Sequence, residues 1–292
     1  MTDGPKIKAI APWFGSKRNL APLIVDAIGN HRVYWEPFCG SMAVLLAKPP
    51  CKMETVNDLH GDLVNLASVI QHEKYGPGLH RRLSQTLASE ELFWESVTVV
   101  RASEPCPVLD IDRAYHYFVV SWLGLNGMAG RDGLRGDAFC VRFTATGGQT
   151  AVRWVNVVES IAAWRTRLRN VTILRRDGFG IISKIADAPR TAIYVDPPYI
   201  VKGARSNYKH DFDTADHQRL ADALGRFQHA RVVVSYYDHP DLDRLYPGWT
   251  RRTKEVSKAM AHQGKRGKNN TKAVEVLLIN QPKLPLFQEP NL

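Results

Sequence analysis

The residues Asp196-Pro197-Pro198-Tyr199 carry the most specific chemistry in the chain. They follow the β-branched and aromatic run TAIYV, which reads as a buried strand. Each proline fixes φ and lacks an N–H, so the carbonyls beside it can face a pocket without neighbouring donors. A carboxylate next to such a carbonyl is a cradle made only of acceptors, and it suits an amino group with two N–H donors. The tyrosine that follows can stack on a flat heterocycle. The alternative reading is a strand stopped by prolines with a solvated aspartate at its tip.

Three other stretches carry compatible chemistry. VYWEPFCGSMAVLL places Gly40 in a tight turn from a strand into a helix, where backbone amides can meet an anionic or polar ligand end or serve an ordinary βα turn. TVNDLHGDLVNL sets Asp58 between a strand and a helix, where an acid holds a ribose diol or caps the helix. PWFGSKRNL adds Trp13 and Lys17 beside a flexible Gly-Ser pair. Aromatic ring, acid, glycine turn and lysine together describe a pocket for a charged nucleoside.

These residues need elements to position them. Short β-rich runs at HRVYWEP, KMETVND, NVTILRRD, TAIYVDPP, ARVVVSYY and AVEVLLIN alternate with helical patterns. That is the signature of an α/β sheet with helices on its faces. Ligands of such sheets bind beyond the carboxyl ends of the strands, and the residues expected there are Glu36, Asn57, Asp58, Asp177, Asp196 and Ser235. Residues 61–164 read as a helical insertion, with sheet elements in 1–60 and 165–292. Inside the insertion, 126–150 is rich in glycine and arginine, breaks helical periodicity and reads as a loop or hairpin. HQGKRGKNNTK, with four Lys or Arg, reads as a second basic loop between two strands.

Composition bounds the partners. The 292 residues are 44% hydrophobic, enough for a large core, and carry 39 Lys and Arg against 29 Asp and Glu, a net charge of +10. That excess favours a polyanionic partner, or marks a soluble basic protein. Cys39, Cys51, Cys106 and Cys140 lack zinc-site spacing and read as buried, reduced thiols of a cytoplasmic protein. No apolar run reaches membrane-spanning length, and the first residues lack a signal-peptide core.

In order, Trp13-Phe14-Gly15-Ser16-Lys17, Glu36-Pro37-Phe38-Cys39-Gly40, Asn57-Asp58 and Asp196-Pro197-Pro198-Tyr199 resemble the motifs of the Dam-like, D12-class DNA adenine-N6 methyltransferases. The likeness extends through YKHDFDTADHQRLADAL and the closing VEVLLIN. It implies a Rossmann-like class I S-adenosylmethionine-dependent methyltransferase sheet with a helical DNA-recognition insertion. The cofactor would be S-adenosyl-L-methionine, held by Trp13, Lys17, Glu36, Phe38, Gly40, Asp58 and Asp177, with Asp58 on the ribose hydroxyls and Asp177 on the adenine amino group. Asp196 to Tyr199 would be catalytic, methylating the N6 of an adenine flipped out of double-stranded DNA. Asn126 and Arg131 would read base edges, and Arg135, Lys265, Arg266 and Lys268 would touch phosphate.

The sequence departs from the family pattern at four places. Met42 stands where the family has a second glycine, so the backbone there is expected to run differently. Gly178 separates Asp177 from Phe179, Met128-Ala129-Gly130 follows the Asn-Gly of the recognition loop, and Pro12 replaces a base-contacting lysine. GATC specificity is therefore not implied, and an enzyme of a restriction pair, an orphan or a phage enzyme, monomeric or dimeric on DNA, fits equally. Cytosine N4, an RNA adenine or a protein amide are rival acceptors, although the leading Asp of the tetrad favours adenine. A DNA-binding regulator that has lost catalysis is the other class of reading.

Overall fold

A computed structural model describes residues 7–13, 15–105, 108–125, 138–141, 149–200, 212–257 and 272–282. Its seven strands are β1 (Val33–Glu36), β2 (Met53–Asn57), β3 (Val171–Leu174), β4 (Thr191–Val195), β5 (Arg231–Tyr237), β6 (Thr250–Ser257) and β7 (Lys272–Ile279). They form one sheet in the order β3-β2-β1-β4-β5-β7-β6. The first five strands in that order pair in parallel, and β7 pairs antiparallel with both β5 and β6. The strand order reverses between β1 and β4, and a crevice opens beyond the carboxyl ends of the strands at such a reversal. β4 lies at this centre with all five residues buried, which accounts for its unbroken apolar run.

The helices are α1 (Ala21–Ile28), α2 (Ala43–Ala47), α3 (Gly61–Gln71), α4 (Tyr75–Ser84), α5 (Glu90–Ala102), α6 (Ile111–Leu123), α7 (Thr150–Leu168), α8 (Gly178–Ile182), α9 (Thr214–Gly225) and α10 (Leu242–Leu245). α3 to α7 run between β2 and β3. Their starts follow local chemistry: Ser89 and Asp110 cap α5 and α6 by accepting the Leu92 and Arg113 amides, and Asp213 with Asp216 closes a capping box on α9. α6 is buried from Arg113 to Leu123, and Arg113 is tied to Asp62 of α3 by an ion pair of 2.5 Å. None of the described helices is long and apolar enough to cross a membrane.

One apolar cluster joins α1 and the central strands to α3, α6 and α7, and a second joins β4 and β5 to α8, α9 and α10. Two indoles use their polar edge to anchor the chain ahead of the first helix. Trp122 Nε1 donates to the Ile10 carbonyl at 3.2 Å and Trp164 Nε1 to the Ile7 carbonyl at 2.6 Å. This fixes the segment that delivers Trp13 to the strand tips.

Sequence patterning misplaces some elements. Glu36, Asn57 and Ser235 lie within β1, β2 and β5 instead of after them. β6, TRRTKEVS, has no apolar run; it is the outermost strand and is defined by its eight-residue ladder to β7. α5 also lacks a clear sequence signal, because β-branched residues dominate its second half.

Candidate active site

A cleft of about 750 Å³ opens at the strand tips, lined by Trp13, Phe38, Asp58, Asp177, Asp196 and Pro198 among others. Asn57, buried at the end of β2, staples its floor. Its Nδ2 donates to the Pro37 and Arg176 carbonyls and its Oδ1 accepts the Arg176 amide, each at 2.9 Å, which joins the tips of β1, β2 and β3. Asp58 accepts the Gly40 amide on Oδ2 at 2.8 Å and the His60 amide on Oδ1 at 2.9 Å. Each oxygen retains a further acceptor site, and the carboxylate is fixed on the cleft wall.

Gly40 has φ +44, and a Cβ there would lie 2.8 Å from Trp13 Nε1, so the indole rests on bare backbone. That indole meets His60 in a T-shaped contact at 5.4 Å. Met42 has φ 58 and ψ 29. The methionine adopts the left-handed conformation that favours glycine, at a cost of about 1–2 kcal/mol, while its side chain is wholly buried. Asp177 caps α8 by accepting the Gly180 amide at 2.9 Å. The extra Gly178 makes room for an aromatic wall, since a Cβ there would stand 2.5 Å from Phe38 Cζ.

Asp196 stands at the tip of β4, where the cleft meets a smaller cavity of about 230 Å³ lined by Ser16, Lys17, Glu36, Ser41 and Tyr194. Ser235 Oγ donates to Asp196 Oδ1 at 2.7 Å, and Tyr194 Oη lies 2.9 Å from that hydroxyl. Lys17 Nζ lies 3.1 Å from Asp196 Oδ2 and donates to the Gly15 carbonyl at 2.6 Å. The lysine is only 4% exposed, because a 3-10 turn at Lys17–Asn19 aims it inward. Its ammonium also sits over the Tyr199 ring, 4.7 Å from the centroid. Tyr199 is buried against Tyr236 and the edge of Tyr237.

Two buried acids flank this centre. Burial pushes the Glu36 carboxyl up to about 8, with Asp196 raising it further and the Tyr34 hydroxyl, which donates to Oε2 at 2.9 Å, opposing the shift. Burial pushes Glu275 of β7 up to about 7, against the attraction of Lys17. For Glu36 the folded value lies above the ordinary 4.5, so its contribution to stability is full below that pH and is lost as pH rises through about 8. Urea unfolding at pH 5 and pH 9 should give a Glu36→Gln variant a pH-dependent loss smaller than the parent's by roughly 4 kcal/mol. Equal losses in the two proteins would show that Glu36 is ionised throughout.

The model of the D12 class N6 adenine-specific DNA methyltransferases matches residues 13–261, from Trp13 past β6. The chain belongs to this family. Among solved structures, two of the rRNA methyltransferase aviRa from Streptomyces viridochromogenes resemble the D12 methyltransferase. One has 12% identity, covers 90% of this chain and 84% of its own, and has a TM-score of 0.38; the other has 10%, 92%, 86% and 0.41. SMU.472, described as a methyltransferase and complexed with SAH, has 11% identity over 92% of this chain and 53% of its own, with a TM-score of 0.36. Likenesses this distant carry no weight beside the family match. No curated protein matches the chain in sequence. The seven-stranded mixed sheet of the D12 enzyme is the Rossmann-like methyltransferase architecture.

The methyltransferase brings Trp13, Phe38, Gly40, Asp58 and Asp177 together around the larger cleft, with Asp196 and Pro198 at one end. Lys17 and Glu36 border the smaller cavity instead. Asn126, Arg131, Arg135, Lys265, Arg266 and Lys268 lie outside the described residues, as does Cys106. Cys39 and Cys140 are buried and unpaired, while Cys51 is partly exposed. Sequence reasoning did not find Glu275; the available signal was an acid inside the apolar alternation of VEVLLI. Ser235 was noticed only as a lining residue, yet it is the donor that orients Asp196.

Proposed function

We propose that the enzyme transfers a methyl group from S-adenosyl-L-methionine to the N6 of an adenine rotated out of double-stranded DNA. The observation that carries this reading is the setting of Asp196: a carboxylate fixed through Ser235, beside a buried tyrosine ring, at the mouth of a cleft with two further carboxylates. The cleft suits the cofactor in kind. Asp58 offers acceptors for a ribose diol, Asp177 for an amino group, Trp13 and Phe38 flat walls, and Gly40 a surface without a side chain. When bound, the cofactor supplies an electrophilic methyl on a sulfonium.

The exocyclic amine of adenine is a poor nucleophile, because its lone pair is delocalised into the ring, and within a duplex it is paired. Extrusion costs a few kcal/mol of stacking and pairing. The chain then orients the amine: Asp196 Oδ2 accepts one N6 hydrogen, a proline carbonyl of the tetrad accepts the other, and Tyr199 stacks under the ring. Accepting both hydrogens localises the lone pair towards the methyl group. The nitrogen becomes acidic only as the new bond forms, so Asp196 receives a proton without being a strong base, and positioning with fixed electrostatics supplies the acceleration.

Single-molecule sequencing of DNA from cells expressing the protein is the test. The expected result is N6-methyladenine at one short recurring sequence. Methylcytosine at N4, or no modified base, would sink the proposal.

A further inference from the structure

The amine-binding position described above is already taken. Lys17 Nζ is 3.1 Å from Asp196 Oδ2 and 4.7 Å from the Tyr199 ring centroid, the two groups that would receive the adenine amine and ring. The carboxylate oxygen can accept a second hydrogen bond, but an ammonium and an adenine ring cannot occupy the same face of Tyr199, so Lys17 must leave that face, and Asp196 with it, before a base can stack there. A buried ammonium released from one carboxylate needs another. Glu275 Oε2 lies 3.9 Å from Lys17 Nζ, is buried, and has no hydrogen-bond partner among the described residues. It is an acceptor waiting within about one ångström of side-chain movement.

We infer that Glu275 is a positioning residue for methyl transfer, the counter-ion that takes Lys17 from Asp196 when the target base arrives. The inference rests on the proposed N6 transfer. In the structure Lys17 fills the amine site and neutralises Asp196. With the base in place Lys17 pairs with Glu275, and Asp196 turns its freed oxygen to the amine. No covalent step is added; one ion pair is exchanged for another.

The exchange requires Glu275 to be ionised. The charged and titratable groups facing it are Lys17 from the 3-10 turn, Asp196 from the tip of β4, Lys254 in register on β6 and Tyr237 in register on β5. Burial and Asp196 hold it near pH 7, while Lys17 and Lys254 lower it. Below that pH Glu275 is neutral and Lys17 stays on Asp196, so kcat/KM, which reports the free enzyme, falls on the acid side.

The test measures transfer of tritiated methyl from S-adenosylmethionine to unmethylated plasmid DNA, across pH, with Glu275→Gln and Lys17→Met singly and together. Glu275→Gln, nearly isosteric, should lose about tenfold in kcat/KM at pH 8, the worth of one charge-assisted hydrogen bond, and should lack the acid limb. In the Lys17→Met background it should have no further effect, because the two residues act as one unit. A limb that survives in Glu275→Gln belongs to Glu36 and overturns the inference, as do additive losses. A readout without DNA or cofactor is the carboxyl carbon resonance of Glu275, which should titrate near pH 7 and move upward in Lys17→Met; titration in the ordinary range, unmoved by that variant, also overturns it. Wild-type protein that methylates no adenine rejects the underlying reading, whereas active wild type with an unaltered Glu275→Gln profile rejects the ion-pair exchange alone.

Discussion

Alanine in place of Asp196 is expected to lower methyl transfer by at least ~10³-fold, while S-adenosylmethionine affinity stays within about threefold of the parent. The carboxylate does two things at once. It accepts an N6 hydrogen, which makes the lone pair available, and it places a negative charge where positive charge develops on the nitrogen. Both interactions strengthen as the bond forms, so their loss falls on kcat. Ser235 fixes Oδ1 before any substrate arrives, which limits reorganisation during the step. Asparagine at 196 separates the two contributions: it keeps one acceptor, presents a donor to an amine that has only donors to offer, and removes the charge. Its activity should fall between those of the parent and the alanine variant. The fold should tolerate both changes, because Glu275 remains near Lys17 as a counter-ion. Single-turnover transfer of a tritiated methyl group, beside an equilibrium titration of the cofactor, gives both numbers. Turnover of the alanine variant within tenfold of the parent would mean that the amine is held elsewhere.

The contrast between Asp196 and Glu275 explains how much of this site a sequence can carry. Asp196 ends an apolar five-residue strand buried at the sheet centre, so both strand and tip announce themselves in the chain. The same holds for Asp58, which follows the buried half of β2. Glu275 is a charged residue within a strand that runs antiparallel to β5, and it reaches Asp196 only because β7 inserts between β5 and β6. No local pattern encodes that insertion. β6 is least legible of all, since its identity as a strand comes from its pairing. Lys17 follows Trp13 by four residues, and the two side chains line one small cavity with Gly40 and Asp196, while Trp13 also lines the larger cleft. At Met42 the sequence shows the missing glycine but not the conformation: a buried side chain holds the backbone in a glycine-like geometry.

Met42 also decides why residue 40 must be glycine. The backbone at 42 holds φ 58 with a full side chain, so a positive φ in this turn is tolerable at about 1–2 kcal/mol. Strain alone therefore does not exclude alanine at 40. The indole does: an added Cβ would meet Trp13 at 2.8 Å from Nε1, 3.1 Å from Cδ1 and 3.2 Å from Cε2, contact with a ring face and not with a flexible chain end. Trp13 cannot retreat freely, because His60 stands against it and the preceding segment is pinned through Trp122 and Trp164. Relief must come from the turn itself, which withdraws the Gly40 amide from Asp58 Oδ2 and moves two walls of the cleft together. Gly40→Ala should therefore weaken S-adenosylmethionine binding by ~10–100-fold, a cost of about 1.4–2.8 kcal/mol. Gly248→Ala is the matched control, with φ +78 and no atom within 4 Å of the added Cβ; it should lose about 1 kcal/mol of stability and bind the cofactor as the parent does. Calorimetric titration beside urea unfolding separates the two terms. If both variants lose similar stability and Gly40→Ala keeps its affinity, the glycine serves only the turn and the contact with Trp13 is not part of the cofactor site.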